Sequence, residues 1–188
     1  YAEGNKEKIK EIRTFLKSCL FMAFSFIESY INGLASCIIL EEPQKKLSNK
    51  DMSLLFELNE KDSNKSKFVS FRDKLLHYPR IAKGEKYPLL NEGNSIELAL
   101  ILEKAKLYRD AIAHPSVTPT PKLKNNKYVF TRNIKAQTLM LIEFQEVKEI
   151  VESSVNLVLK IDSLTFDWID NYVVLPDKDG LFNERIFL

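Results

Sequence analysis

The chain has 188 residues, of which 45% are apolar and 29% charged, and a formal net charge of +2. That length suits one domain with a real core, and the near balance of charge excludes a strongly basic duplex binder. Five glycines and seven prolines leave too few turns for a many-stranded β fold and favour long helices.

The opening residues Tyr1-Ala2-Glu3-Gly4-Asn5-Lys6 do not read as a signal peptide, and the absent initiator Met suggests either a trimmed chain or a piece of a longer protein. Ile9, Ile12, Leu16, Cys19, Ala23, Phe26, Tyr30, Leu34 and Cys37 recur at steps of three and four. This predicts an amphipathic helix over 5–40 that stops before Pro43. The apolar run from Cys19 to Phe26 is too short to span a bilayer, so no membrane partner is expected. Cys19 and Cys37 lie on this rod, which rises about 1.5 Å per residue, and cannot bridge each other. Reduced thiols suit a cytoplasmic location. Within the same helix Glu28, Ser29, Tyr30 and Asn32 are polar, either lining a cleft or facing solvent.

A short helix is expected near 51–58, then a polar loop over 61–67. Phe68, Phe71, Leu75 and Leu76 mark a helix that should end before Pro79. Asn94 and Glu97 have capping-box spacing and predict a helix running to about Ala113. Pro115, Pro119 and Pro121 forbid helix in the next stretch, and Lys127-Tyr128-Val129-Phe130 suits a short strand. A last long helix is expected over 134–168, with Leu139, Ile142, Val147, Ile150, Val151, Val158, Ile161 and Leu164 as its core stripe. The tail, 169–188, reads as extended or as a hairpin around Gly180. The expected architecture is all-α: an up-and-down helical bundle of about four to five helices with minor β additions. It forms one domain over 1–188, with its core at 5–168.

Chemistry concentrates at Tyr108-Arg109-Asp110-Ala111-Ile112-Ala113-His114-Pro115. A guanidinium holds a phosphate and stabilises developing charge, while an imidazole moves protons near neutral pH. Pro115 biases His114 away from α geometry, so the helix should end there with the ring at its negative pole. Asp110, one turn earlier, is placed to orient the imidazole. The plain alternative is that Arg109 is a surface ion-pair residue and His114 simply ends a helix. A second copy of the pattern, Phe71-Arg72-Asp73-Lys74-Leu75-Leu76-His77, is better explained as a helix end with a surface histidine. Lys106, Lys122 and Lys124 flank the motif and are candidates, with Arg72 and His77, for holding an RNA backbone. Trp168 and Phe166 suit a core or an interface better than base stacking. No phosphate loop, nucleophile motif, cofactor signature or metal-ligand spacing is present in the sequence.

From Arg109 to Pro115 the chain resembles the HEPN superfamily, whose members are helical bundles, usually dimeric, with an Arg-x4-6-His motif whose first variable position is commonly Asn, Asp or His. Arg109-Asp110-(three residues)-His114 matches that form. The resemblance implies metal-independent, cofactor-free endoribonuclease activity, with attack by the ribose 2′-hydroxyl giving a 2′,3′-cyclic phosphate. His114 would move protons, Arg109 would stabilise the transition state, and Asp110 would orient His114. It implies a homodimer with two motifs in a shared cleft, and a role as a toxin or antiviral-defence effector. A nucleotidyltransferase-type antitoxin is a partner of some members. The proline-rich stretch after His114 and the β-like tail are not general features of that superfamily. The competing expectation is a non-catalytic HEPN-like module that binds RNA, a nucleotide or a partner protein. A regulatory or dimerisation domain of a larger protein is a third.

Overall fold

A computed structural model describes residues 2–41, 47–59, 62–113, 121–124, 127–130 and 142–167 of the chain. Among them the protein is mostly helical, with two small antiparallel hairpins. The all-α class is therefore found, with minor β additions. The helices are α1 (Ala2–Glu41), α2 (Asn49–Leu55), α3 (Phe71–Lys83), α4 (Ile96–Leu100), α5 (Lys106–Ala113) and α6 (Phe144–Leu164). The strands are β1 (Leu58–Asn59), β2 (Asp62–Ser66), β3 (Pro121–Lys124) and β4 (Lys127–Phe130). Strand β4 falls where Lys127–Phe130 was expected, and β3 pairs with it through Lys122↔Val129 and Leu123↔Tyr128.

Two compact units emerge, Tyr1–Ser29 with Glu92–Asn156, and Tyr30–Asn91 with Leu157–Leu188. In the first, Leu16, Ile27, Leu98, Ile101, Ala111 and Ile150 are buried. In the second the buried set includes Ile31, Ile38, Leu75, Tyr78, Leu157 and Ile161. Of the stripe expected on the last helix, Ile142, Val147, Ile150, Val158 and Ile161 are buried.

Helix α1 matches the expected span, but its core face differs from the expected stripe. Leu16, Leu20, Ala23, Ile27, Ile31, Leu34 and Ile38 are buried, whereas Ile9, Ile12 and Phe26 are exposed. The sequence carries enough apolar residues for two stripes, and a single count at steps of three and four drifts from one to the other. Helix α1 is also long and apolar enough to cross a membrane, with a window of mean hydropathy 1.5 of which 39% is buried in the protein. The expectation drawn from Cys19–Phe26 alone was too narrow, because the low-charge stretch continues to Leu40.

Four other boundaries are corrected. The 61–67 loop contains β2, which pairs with β1 through Leu58↔Ser66 and Asn59↔Asp62. Its polar side chains gave no strand pattern, and a hairpin needs only backbone hydrogen bonds. The helix expected over 51–58 spans Asn49–Leu55, with Phe56 as its C-cap and Glu57 in the left-handed region at φ 51°. Helix α3 does not stop at Pro79 but runs through it to Lys83 and ends on Gly84, whose φ of 75° is the left-handed cap that glycine accepts freely. An internal proline costs about 3 kcal/mol. Burial of Tyr78, Arg80 and Ile81 around it offsets that cost. Helix α6 begins at Phe144, with Ile142 and Glu143 outside it. Residues 134–141, including Leu139, Trp168 and the 169–188 tail, lie outside the described residues.

Serine caps set the helix starts. Ser48 accepts from the Asp51 amide and Ser70 from the Asp73 amide, and each hydroxyl donates to the same aspartate's carboxylate. Ser95, one residue later than the expected Asn94, caps α4 by accepting from the Leu98 amide, and it donates to Glu97 at 2.7 Å. A turn of π-helix, Ile101–Ala105, then joins α4 to α5.

A polar anchor of the second unit is Arg80. It is buried and reaches Asp51 on α2 at 2.5 Å, the Glu85 carbonyl and the ring of His77. Removing one partner of a buried pair strands the other. Arg80→Ala is therefore expected to lower unfolding stability by roughly 3 kcal/mol. Ser95→Ala, which loses only a cap, should lose about 1 kcal/mol. Urea denaturation of the two variants checks both the order and the gap.

Candidate functional site

Arg109 sits on α5 and points at α1. Its Nη2 donates to the Glu28 carboxylate at 2.9 Å, and the guanidinium lies 5.6 Å from the centre of the Phe24 ring. Its Nη1 reaches Asp110 at 3.4 Å, the long end of a hydrogen bond. The ion-pair alternative weighed in the sequence is thus present in the structure, yet Arg109 keeps about a third of its side chain exposed at 33%. A cation resting on an aromatic face and tied to one carboxylate is fixed in orientation with donors left over, because a guanidinium carries five N–H groups.

Asp110 lies between two cations. Burial pushes its carboxyl up, but the Lys106 ammonium at 2.8 Å and the Arg109 guanidinium outweigh that and hold it below the usual carboxylate range. Lys106, expected to meet an RNA backbone, is engaged with Asp110 in this structure. His114 and Pro115 lie outside the described residues; α5 is described up to Ala113.

The neighbour of Arg109 sets its direction. Tyr108 is buried and donates to Glu146 on α6 in a short hydrogen bond. Burial and the carboxylate together push the Tyr108 phenol well up. With Tyr108 held toward α6, Arg109 is turned toward α1 one position on. The π turn upstream holds an extra residue relative to α-helix, which resets the face that α5 presents. Three residues past Arg109, Ile112 closes an open groove of about 280 Å³ whose other walls are Thr14, Lys17, Ser18, Phe21 and Met22 of α1.

The sequence did not assign Phe24, Tyr108, Glu146, Lys17 or the π turn to the site. Glu28 was visible as a charge in an apolar helix, and Tyr108 as the aromatic leading the motif; Glu146 and Lys17 carried no signal. The other polar residues of α1 go elsewhere: Tyr30 donates to buried Asp162 at 2.7 Å and Asn32 accepts from Lys74 at 3.2 Å. Lys122 and Lys124 occupy β3 positions paired with Val129 and Lys127.

The second Arg–His pair lies wholly within the described residues. Arg72 is exposed on the opening turn of α3, and Asp73 caps that helix with Ser70. His77 accepts at Nδ1 from Arg80 at 3.1 Å, and Arg80 in turn is bound to Asp51. Burial and then the Arg80 charge hold the imidazole below its ordinary value of 6.5. This places a neutral histidine in the buried network that anchors α3 to α2. Among the described residues, no three His, Cys, Asp or Glu side chains group as a metal site.

No protein-family model, no curated protein and no solved structure matches the chain.

The His77 arrangement has a pH signature. Its pKa is lower folded than unfolded, so below 6.5 the unfolded chain binds more protons and stability falls as pH drops. Asp51 acts in a separate window: although burial raises its pKa, Ser48 and Arg80 lower it overall, and its contribution is lost only below its ordinary 3.8. Thermal melts of the wild type should fall on acidification through 6.5, and His77→Asn, which keeps an acceptor without the titration, should flatten that step.

Proposed function

We propose that the protein is a metal-independent endoribonuclease of the HEPN type, with Arg109 as the phosphate-holding residue, His114 as the proton-transfer residue and Asp110 in support. One observation carries the reading. The guanidinium of Arg109 is fixed by Glu28, Phe24 and Asp110 yet remains partly open to solvent, and it stands five residues before the chain's only other histidine besides His77. A preorganised donor costs little reorganisation when charge develops on a bound phosphate.

The chemistry needs few parts. The ribose 2′-hydroxyl loses a proton and its oxygen bonds to the adjacent phosphorus. The bond from phosphorus to the 5′-oxygen breaks, and that oxygen gains a proton. The products are a 2′,3′-cyclic phosphate and a free 5′-hydroxyl. His114 moves one of these protons, and Arg109 stabilises the charge on the non-bridging oxygens. Lys17 and Phe21, beside Ile112, supply a cation and an aromatic surface along the way for an RNA strand. The helical class is compatible with a helical-bundle effector; a cytoplasmic location and an antitoxin-like partner belong to the same proposal.

A specific observation favours a second reading. Glu28 and Asp110 together balance the charges of Arg109 and Lys106, so the site is close to neutral. That suits a non-catalytic module as well as an enzyme at rest. The two readings separate in one assay. Incubated with RNA in the presence of chelator, the wild type should yield cyclic-phosphate ends, and Arg109→Ala or His114→Ala should each slow cleavage roughly a hundredfold or more with helicity intact. Glu28→Gln should tighten RNA binding a few-fold by freeing the guanidinium. RNA bound but left whole favours the binding module, and cleavage unchanged in both alanine variants removes the ribonuclease reading.

A further inference from the structure

We infer that the groove between α1 and Ile112 is a base-binding subsite that takes a nucleobase with an exocyclic amine, cytosine in preference to uracil, beside the phosphate held at Arg109. The inference deepens the ribonuclease reading and rests on it for the polynucleotide.

Placement comes first. Thr14, Phe21 and Glu28 stand seven residues apart, close to two full turns, so they share one line along α1. Arg109 meets α1 at Glu28 and Phe24. Ile112, on the same side of α5, closes the groove over Thr14, Lys17, Ser18, Phe21 and Met22. As α5 advances, α1 is therefore met in descending order. The groove is the next station after the guanidinium, three residues or about 4.5 Å further along α5. A phosphate and the base of its own nucleotide are separated by a step of that order.

The chemistry of the walls selects the occupant. Thr14 Oγ1 donates to the Lys10 carbonyl at 2.9 Å, and Ser18 Oγ donates to the Thr14 carbonyl at 3.0 Å. A hydroxyl has one proton, and both protons are committed to the helix. What these groups turn toward a ligand is lone pairs. Lys17 is half-buried in the same wall and forms no ion pair among the described residues. Phe21 keeps 53% of its surface open, and Met22 adds a soft apolar edge. At about 280 Å³ the groove lies just below the size of pockets for drug-sized ligands and suits one planar ring system.

A ring with an exocyclic amine answers each of these groups. Its N–H donors meet the hydroxyl lone pairs, its neighbouring ring nitrogen or carbonyl accepts from Lys17, and its face stacks on Phe21. Uracil presents a carbonyl where cytosine has the amine, so oxygen lone pairs would meet oxygen lone pairs. A purely apolar occupant, such as a partner's aliphatic side chain, would leave the half-buried Lys17 ammonium unanswered.

Anisotropy titrations of the full chain with 2′-deoxycytidine and 2′-deoxyuridine oligonucleotides of equal length test this. Neither strand can be cleaved by 2′-hydroxyl attack, and the two rings differ only at this edge. The wild type should bind the cytosine strand about five- to tenfold more tightly. Thr14→Val/Ser18→Ala, which removes both acceptors at exposed positions, should bring that ratio close to one. Phe21→Leu should weaken both strands roughly tenfold and keep the ratio. Should the double variant lose helicity, Ser18→Ala alone gives the comparison, with the ratio reduced. A wild type that binds both strands equally, or neither, overturns the inference, and so does a preference that the acceptor variants leave untouched. Equal binding that still depends on Arg109 overturns the base subsite and leaves the phosphate site standing. A cytosine preference in a protein that cuts no RNA supports the subsite and removes the enzyme, so the two failures are told apart.

Discussion

The candidate site depends on one held cation. Arg109 rests on Phe24 and pairs with Glu28, both from a helix more than eighty residues earlier in the chain. Free in water, an arginine side chain has several rotatable bonds to freeze before it can grip a phosphate in one geometry. Here that entropy is already spent in folding. The same contacts set an opposing cost, because Glu28 occupies a donor that a phosphate would use. On the proposed reading, affinity and readiness would be traded against each other at that single carboxylate.

Holding Arg109 requires α5 to be rotated correctly, and that rotation is fixed from behind. Tyr108 is locked to Glu146, and the π turn adjusts the register between the capped start of α4 and the end of α5. A change in either would swing the guanidinium away from Phe24 without touching it. The second arginine-rich network, Arg80 with Asp51 and His77, uses the same residue types for another end: burial leaves it as an anchor, and its imidazole is kept neutral.

Much of the helical framework was legible because long apolar periods and serine or glycine punctuation act locally. The span of α1, the existence of α3 and the helix into Ala113 are all readable from spacing. What failed was decided at a distance. Pro79 should end a helix, but burial of its neighbours carries the helix past it. Polar residues 62–66 signal solvent, and only pairing makes them a strand. Two apolar stripes on α1 merge in a linear count, and packing alone tells which one is covered. At the site, Arg109 and Asp110 were legible as chemistry. Phe24 and Glu146 were not, since nothing near them in sequence says that they face α5.

The central claim is that Arg109 is a poised phosphate ligand. The most direct measurement is side-chain nitrogen NMR of the arginines while a 2′-deoxy oligonucleotide, which cannot be cleaved by this chemistry, is titrated in. The account predicts a saturable shift of the Arg109 Nε–H resonance while that of the buried Arg80 stays in place. An oligonucleotide that binds without moving Arg109, or that does not bind, contradicts it.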